Sequence, residues 1–134
     1  MAAGKYDSSI EQGSSYKLSL TYKDDEDNIV PLTGYCARLV WKTNTGSTQS
    51  FYTTDAPNSD YKFYIDEPNG KITLLLSANF TNNFQFSSAK YDLELKSPDD
   101  HYSGGGKYTI RLLYGTFTIT KRFSQTSDQM SCST

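Results

Sequence analysis

Few residues in this sequence have types able to do chemistry, and their spacing works against most uses. His101 is the single histidine. It falls in a polar stretch that ends in Gly104, Gly105 and Gly106. Triad catalysis needs a base held between a nucleophile and an orienting group. A lone histidine among Ser, Asp and Gly reads instead as a solvated loop residue. Cys36 has no histidine on a neighbouring strand end, so a thiol nucleophile lacks its activating base. Gly104, Gly105, Gly106 and Lys107 superficially suggest a phosphate cradle. A P-loop, however, precedes a helix whose N-terminus faces the phosphates, and this stretch precedes a strand pattern. It reads as a hairpin tip.

The acidic run Asp24, Asp25, Glu26, Asp27, Asn28 is the best metal candidate, because clustered carboxylates can supply the oxygens calcium takes. The EF-hand spacing breaks, since Val30 stands where its glycine belongs. The run reads as a solvated turn. No metal, cofactor or catalytic residue is expected, which disfavours a hydrolase. Asn79, Phe80 and Thr81 form a glycosylation sequon, but residues 1–5 carry no apolar signal region. Folding in a cytosol is therefore expected, and no run approaches the ~18 apolar residues of a membrane span. Two cysteines, Cys36 and Cys132, are too few for a disulfide framework or a zinc site. They are not expected to pair within one chain. The net charge of -2 advertises no broad basic surface for nucleic acid.

The elements that would position these residues are strands. Over 91–96, Tyr91, Leu93 and Leu95 alternate with Asp92, Glu94 and Lys96, one face apolar and one charged. Over 108–120, Ile110, Leu112 and Tyr114 share a face. Gly115 then shifts the parity to Phe117 and Ile119, as a bulge would. With the loop 97–107 between them these runs form a C-terminal hairpin. Upstream, Tyr16, Leu18 and Leu20 alternate with Lys17, Ser19 and Thr21. Tyr35, Ala37, Leu39 and Trp41 alternate with Cys36, Arg38, Val40 and Lys42. Further strands are predicted over 48–54, 61–66 and 71–76, the last with Ile72, Leu74 and Leu76 inward. Ser77 is placed to cap one helical turn. The predicted core is Tyr16, Leu18, Leu20, Tyr35, Leu39, Trp41, Ile72, Leu74, Leu76, Leu93, Ile110 and Leu112. Most of the 11 tyrosines are accounted for by such alternation rather than by stacking on sugars or bases.

Strands recurring about every ten residues between turn signals predict an all-β sandwich or barrel of antiparallel strands. At 134 residues a single domain is expected. Its core would span about 8–121, with polar arms at 1–7 and 123–134. The C-terminal arm has too little apolar content to bury itself. Phe123 and Met130 are its large apolar anchors, and Cys132 lies in it, so these three are candidate interface residues.

Several segments in order carry a resemblance: 10–16 (IEQGSSY), 20–24 (LTYKD), 30–38 (VPLTGYCAR), 70–78 (GKITLLLSA), 91–95 (YDLEL) and 111–117 (RLLYGTF). Together they resemble small immunoglobulin-like virion proteins of tailed bacteriophages, and are similar to the domain that opens phage baseplate upper proteins. The resemblance implies an immunoglobulin-like antiparallel β-sandwich. It implies a non-enzymatic structural component of the virion, acting by multivalent subunit packing. The partners it implies are other virion proteins and copies of itself, with no nucleic acid, membrane or small-molecule substrate. The implied location is the virion, assembled in the host bacterial cytoplasm; capsid decoration, neck or collar, tail and baseplate all stay open. The chain departs from the pattern in its long 99–106 loop and its two cysteines. The alternative is a carbohydrate- or receptor-binding β-sandwich module.

Overall fold

The computed structural model describes residues 4–102 and 106–121, and the side chains of these except at 99–108. Its elements, in order, are β1 (Gly4–Lys5), β2 (Ser8–Glu11), β3 (Tyr16–Thr21), β4 (Cys36–Thr43), β5 (Thr48–Tyr52), β6 (Tyr61–Asp66), β7 (Lys71–Leu76), α1 (Ala78–Asn82), β8 (Ser88–Tyr102) and β9 (Gly106–Thr120). The larger sheet has the order β1-β9-β8-β4-β5, with β2 also on β9; the smaller has the order β3-β7-β6. All pairings are antiparallel except those of β1 and β2, which run parallel to β9. The fold is an all-β sandwich.

Alternation produces the two layers. Along β4, Ala37, Leu39 and Trp41 are buried while Arg38 and Lys42 are exposed. Along β8, Ala89, Tyr91, Leu93 and Leu95 point the same way. Leu18 of β3, Phe63 of β6 and Ile72, Leu74 and Leu76 of β7 close the core from the other sheet. Trp41 sits amid four rings, Phe51, Phe84, Phe86 and Phe117, with centroids 5.0 to 5.8 Å away. The arrangements with Phe51, Phe84 and Phe117 are edge-to-face, which suits the ring quadrupoles. Of the core expected from sequence, Leu18, Leu39, Trp41, Ile72, Leu74, Leu76, Leu93 and Leu112 are buried; Tyr16, Leu20, Tyr35 and Ile110 are partly buried against them.

The connections follow their turn chemistry. Ser77 caps α1, its hydroxyl accepting from the Phe80 amide. The β6–β7 turn ends at Gly70, whose φ of 60° suits glycine. A Cβ there would lie 2.5 Å from the Val30 carbonyl oxygen, so the turn also lets the 22–30 segment close over it. The sequon residue Thr81 is fully buried. Its hydroxyl donates to the Ser14 and Ala78 carbonyls and accepts from the Gly13 amide.

Three expectations are corrected. The arm expected over 1–7 is already in the sheet at Gly4, where β1 pairs Gly4 with Leu113 and Lys5 with Tyr114. The parity shift in β9 is at Leu112, not Gly115. Leu93 faces Leu113 and Glu94 faces Arg111, so Leu112 is the extra residue and Tyr114 turns to the outer face opposite Asp92. Gly115 faces inward opposite Tyr91 for a different reason: a Cβ there would lie 2.0 Å from the Tyr6 carbonyl oxygen. Third, the loop expected over 97–107 is largely paired. Strand β8 continues to Tyr102 and β9 resumes at Gly106, with register irregularities between Lys96 and Asp100 and between Asp100 and Tyr102. His101 is thus on a strand end rather than in an open loop.

Candidate functional site

The outer face of the larger sheet is where the charged residues of β4, β8 and β9 meet. Register brings Arg38 beside Glu94 and Val40 beside Asp92. The next pair along is Lys42 beside Lys90. On the far side of β8, Asp92 lies beside Tyr114 and Lys90 beside Thr116. Lys5 of β1 joins the row of Tyr114.

Among the described residues, the two arginines on this face are both partnered. The Arg38 guanidinium donates to Glu94 Oε1 from Nε at 3.1 Å and Nη2 at 2.5 Å. That hydrogen bond, more than any other influence, raises the Arg38 pKa and holds its charge. Arg111 donates to Asp92 Oδ1 at 3.2 Å and stacks 4.9 Å above the Tyr114 ring. Exposed pairs of this kind contribute about 0–1 kcal/mol each, so they orient side chains more than they stabilise.

The lysines are arranged differently. Among the described residues, Lys5, Lys42 and Lys90 form no ion pair. Lys42 and Lys90 stand directly opposite each other across β4 and β8. Like charges at such a position are unfavourable, on the order of a few tenths of a kcal/mol. The three lysines line a shallow cleft of about 500 Å³, floored by Val40, Tyr114 and Gly115. Among the described residues its one carboxylate, Asp92, is taken by Arg111. The cleft is therefore a positive site with an aromatic wall, suited to carboxylates or other anions. A smaller cleft of about 280 Å³ lies further along the same face, lined among others by Cys36, Arg38, Tyr52, Glu94 and Lys96. Cys36 is half-buried there, a free thiol opposite Lys96.

The acidic groups are concentrated elsewhere. Residues 24–28 form a turn in which the Asp24 amide donates to the Asn28 carbonyl. Asp24 Oδ1 accepts from the Glu26 and Asn28 amides at 2.9 and 3.0 Å. Asp27, in the left-handed region at φ 65°, pairs with Lys23 at 3.5 Å. Asp25 and Glu26 are exposed with no ion pair among the described residues. Asp66 and Glu67 belong to the β6–β7 turn at the same end, where the Tyr22 amide donates to Gly70 and the Leu32 amide to Glu67. This end of the sandwich is acidic while the outer face of the larger sheet is basic, although the chain's net charge is only -2.

The remaining candidates do not converge. The exposed tyrosines lie apart: Tyr6, just after β1, and Tyr52, on β5, are at opposite edges of the larger sheet, and Tyr64 is on β6 in the smaller one. A sugar-binding platform needs such rings gathered in one concavity. The interface candidates Phe123, Met130 and Cys132 lie outside the described residues, as do Gly104 and Gly105 and the side chain of His101. The Lys42–Lys90 opposition was not foreseen from the sequence. Both residues lie on the polar side of alternating strands, but only the β4–β8 register sets them face to face.

Compared with known proteins, the chain matches no protein family, and no curated protein matches it.

Proposed function

We propose that this chain is a non-enzymatic structural component of a tailed-phage virion that acts by multivalent subunit packing. The reading rests on the ordered segments that resemble immunoglobulin-like virion proteins. Five of the six segments supply residues of the core, Ile10, Leu32 with Ala37, Ile72 with Leu74 and Leu76, Tyr91 with Leu93 and Leu95, and Leu112 with Phe117, and the sixth supplies Leu20, packed against it. The resemblance thus follows the residues that dictate the two layers, rather than scattered surface positions. The strand order supports an immunoglobulin-like description: β2-β9-β8-β4-β5 packs against β3-β7-β6, with the N-terminal strand parallel to the last.

A packing role needs contact surfaces rather than a catalytic pocket. The outer face of the larger sheet, with its positive cleft, and the acidic turn at one end offer such surfaces. Residues 123–134, outside the described part, are assigned as an attachment arm. The test is a mass-spectrometric inventory of purified virions with copy number per particle. The chain is expected among the stoichiometric components; many copies would favour capsid decoration or tail tube, and few would favour neck or baseplate. Its absence from particles would overturn the proposal.

A further inference from the structure

We infer that the lysine-lined cleft on the outer face of the larger sheet receives the acidic turn of a second copy of this chain. The inference deepens the packing role and rests on it. Lys42 and Lys90 are held side by side by the β4–β8 register, and Lys5 approaches from β1 to line the same cleft. Among the described residues no carboxylate pairs with these three, whereas the two arginines on the same face each have one. A sequence that sets like charges opposite each other breaks a local rule of sheet pairing, and such breaks mark functional surfaces.

The complement is present on the same molecule. Asp25 and Glu26 project from the 24–28 turn, which the Asp24 side chain locks through two backbone amides. They lie at the end of the sandwich and cannot fold back onto the cleft of their own sheet face, because the core and the β4 and β8 ladders separate the two. One copy's end would therefore meet the next copy's face. Such a contact joins two different patches, so unless both engage reciprocally about a two-fold axis it propagates into a ring or an open array. Opposite charges across it set orientation and speed of encounter more than tightness, so repetition would supply the strength.

The test is sedimentation velocity on the full chain and its charge variants. Wild type is expected to sediment beyond the monomer at low salt. Raising salt from about 0.05 to about 0.5 M should weaken association by roughly tenfold or more, since exposed charges are then screened within a few ångströms. Lys42→Glu/Lys90→Glu should be monomeric, and so should Asp25→Lys/Glu26→Lys. Mixed together, the two variants should associate again, because each reversed patch then meets its opposite. Should the double lysine variant fold poorly, Lys90→Glu alone replaces it, since the introduced carboxylate would pair with Lys42 and relieve the opposition. A wild type that stays monomeric at low salt, single-patch variants that associate like wild type, or a mixture that stays monomeric would each overturn the inference. So would lysine-dependent binding of duplex DNA by a chain that does not self-associate. Association is read on the isolated chain and packing on virions. A chain that associates but is missing from particles overturns the virion reading alone. A particle component that stays monomeric overturns this inference alone.

Discussion

Replacing Gly115 by alanine tests how the N-terminal strand is held. The added Cβ would lie 2.0 Å from the Tyr6 carbonyl oxygen, 2.7 Å from its carbon and 2.9 Å from Asp7 Oδ1. Backbone atoms cannot swing aside as a flexible side chain can. Ordinary contact begins near 3.4 Å, so the Tyr6 carbonyl must retreat by about 1.4 Å. That carbonyl accepts the Tyr91 hydroxyl at 2.6 Å, and Tyr91 is buried and stacked on Phe117 at 4.3 Å. The retreat strands a buried hydroxyl, which costs about 1–3 kcal/mol. It also strains two neighbouring bonds, Tyr6 N to Tyr114 O at 2.8 Å and Thr116 N to Asp7 Oδ1 at 2.9 Å. Each contributes about 0.5–1.5 kcal/mol, less where water replaces it. Gly115→Ala should therefore cost about 2–4 kcal/mol in a urea melt, with amide exchange accelerated over 5–10 and little changed in β4. Tyr91→Phe removes only the hydroxyl and should cost about 1 kcal/mol. The double variant should cost less than the two singles together by about 0.5 kcal/mol or more, since alanine has already broken that bond. A Gly115→Ala protein within about 0.5 kcal/mol of wild type, with unchanged protection over 5–10, would refute the reasoning.

Trp41→Ala should cost about 3–5 kcal/mol in a denaturant melt, because four surrounding rings cannot collapse into the space it leaves; a loss under about 1 kcal/mol would mean that the ring cluster does not organise the core. Burial raises the Tyr91 pKa well above its ordinary value, and burial also raises that of Tyr16. A raised tyrosine pKa favours the neutral phenol in the folded state, so this stability is whole below about pH 10 and is lost as pH rises further. Thermal melts should show a steep alkaline fall that is shallower in Tyr91→Phe, and equal slopes in the two proteins would refute the assignment.

Strands β3 to β6 and the inner parts of β8 and β9 were legible because buried and wetter positions largely alternate along them; β7 was legible from its apolar run, in which Thr73 is buried beside Ile72 and Leu74. The N-terminal strand was not. Gly4, Lys5, Tyr6 and Asp7 have no period, since all are exposed. They are held instead by backbone bonds to β9 and by the space left by a missing side chain at Gly115. The glycine itself was visible, and so was the odd spacing between Ile110 and Phe117 that demands one irregularity. What the sequence could not show is which residue absorbs it. Leu112 and Leu113 are both apolar, so an extra residue between them leaves either leucine able to reach the core, and parity reads the same on both sides. A bulge at Gly115 would have pointed it outward and put a side chain where the Tyr6 carbonyl passes.

The same limit applies to the candidate interface. Alternation assigned Lys42 and Lys90 to the wet side of their strands, where lysine is ordinary. Their meaning depends on register, because a shift of two residues would set Lys42 against Asp92 and make an ion pair. The β4–β8 pairing forbids that shift, since Leu39 faces Leu93 and Trp41 faces Tyr91 at the centre of the core. Moving by two would pull Trp41 out of its ring cluster to gain one exposed ion pair. The packing term is several kcal/mol and the pair at most about 1 kcal/mol, so the core wins. The lysine opposition is thus imposed by the core register, while the choice of lysine at both positions is not. A single Lys90→Glu exchange would relieve it without disturbing the register. That the sequence keeps both charges, with a locked acidic turn at the end of the same sandwich, is the observation that a role in folding alone leaves unexplained.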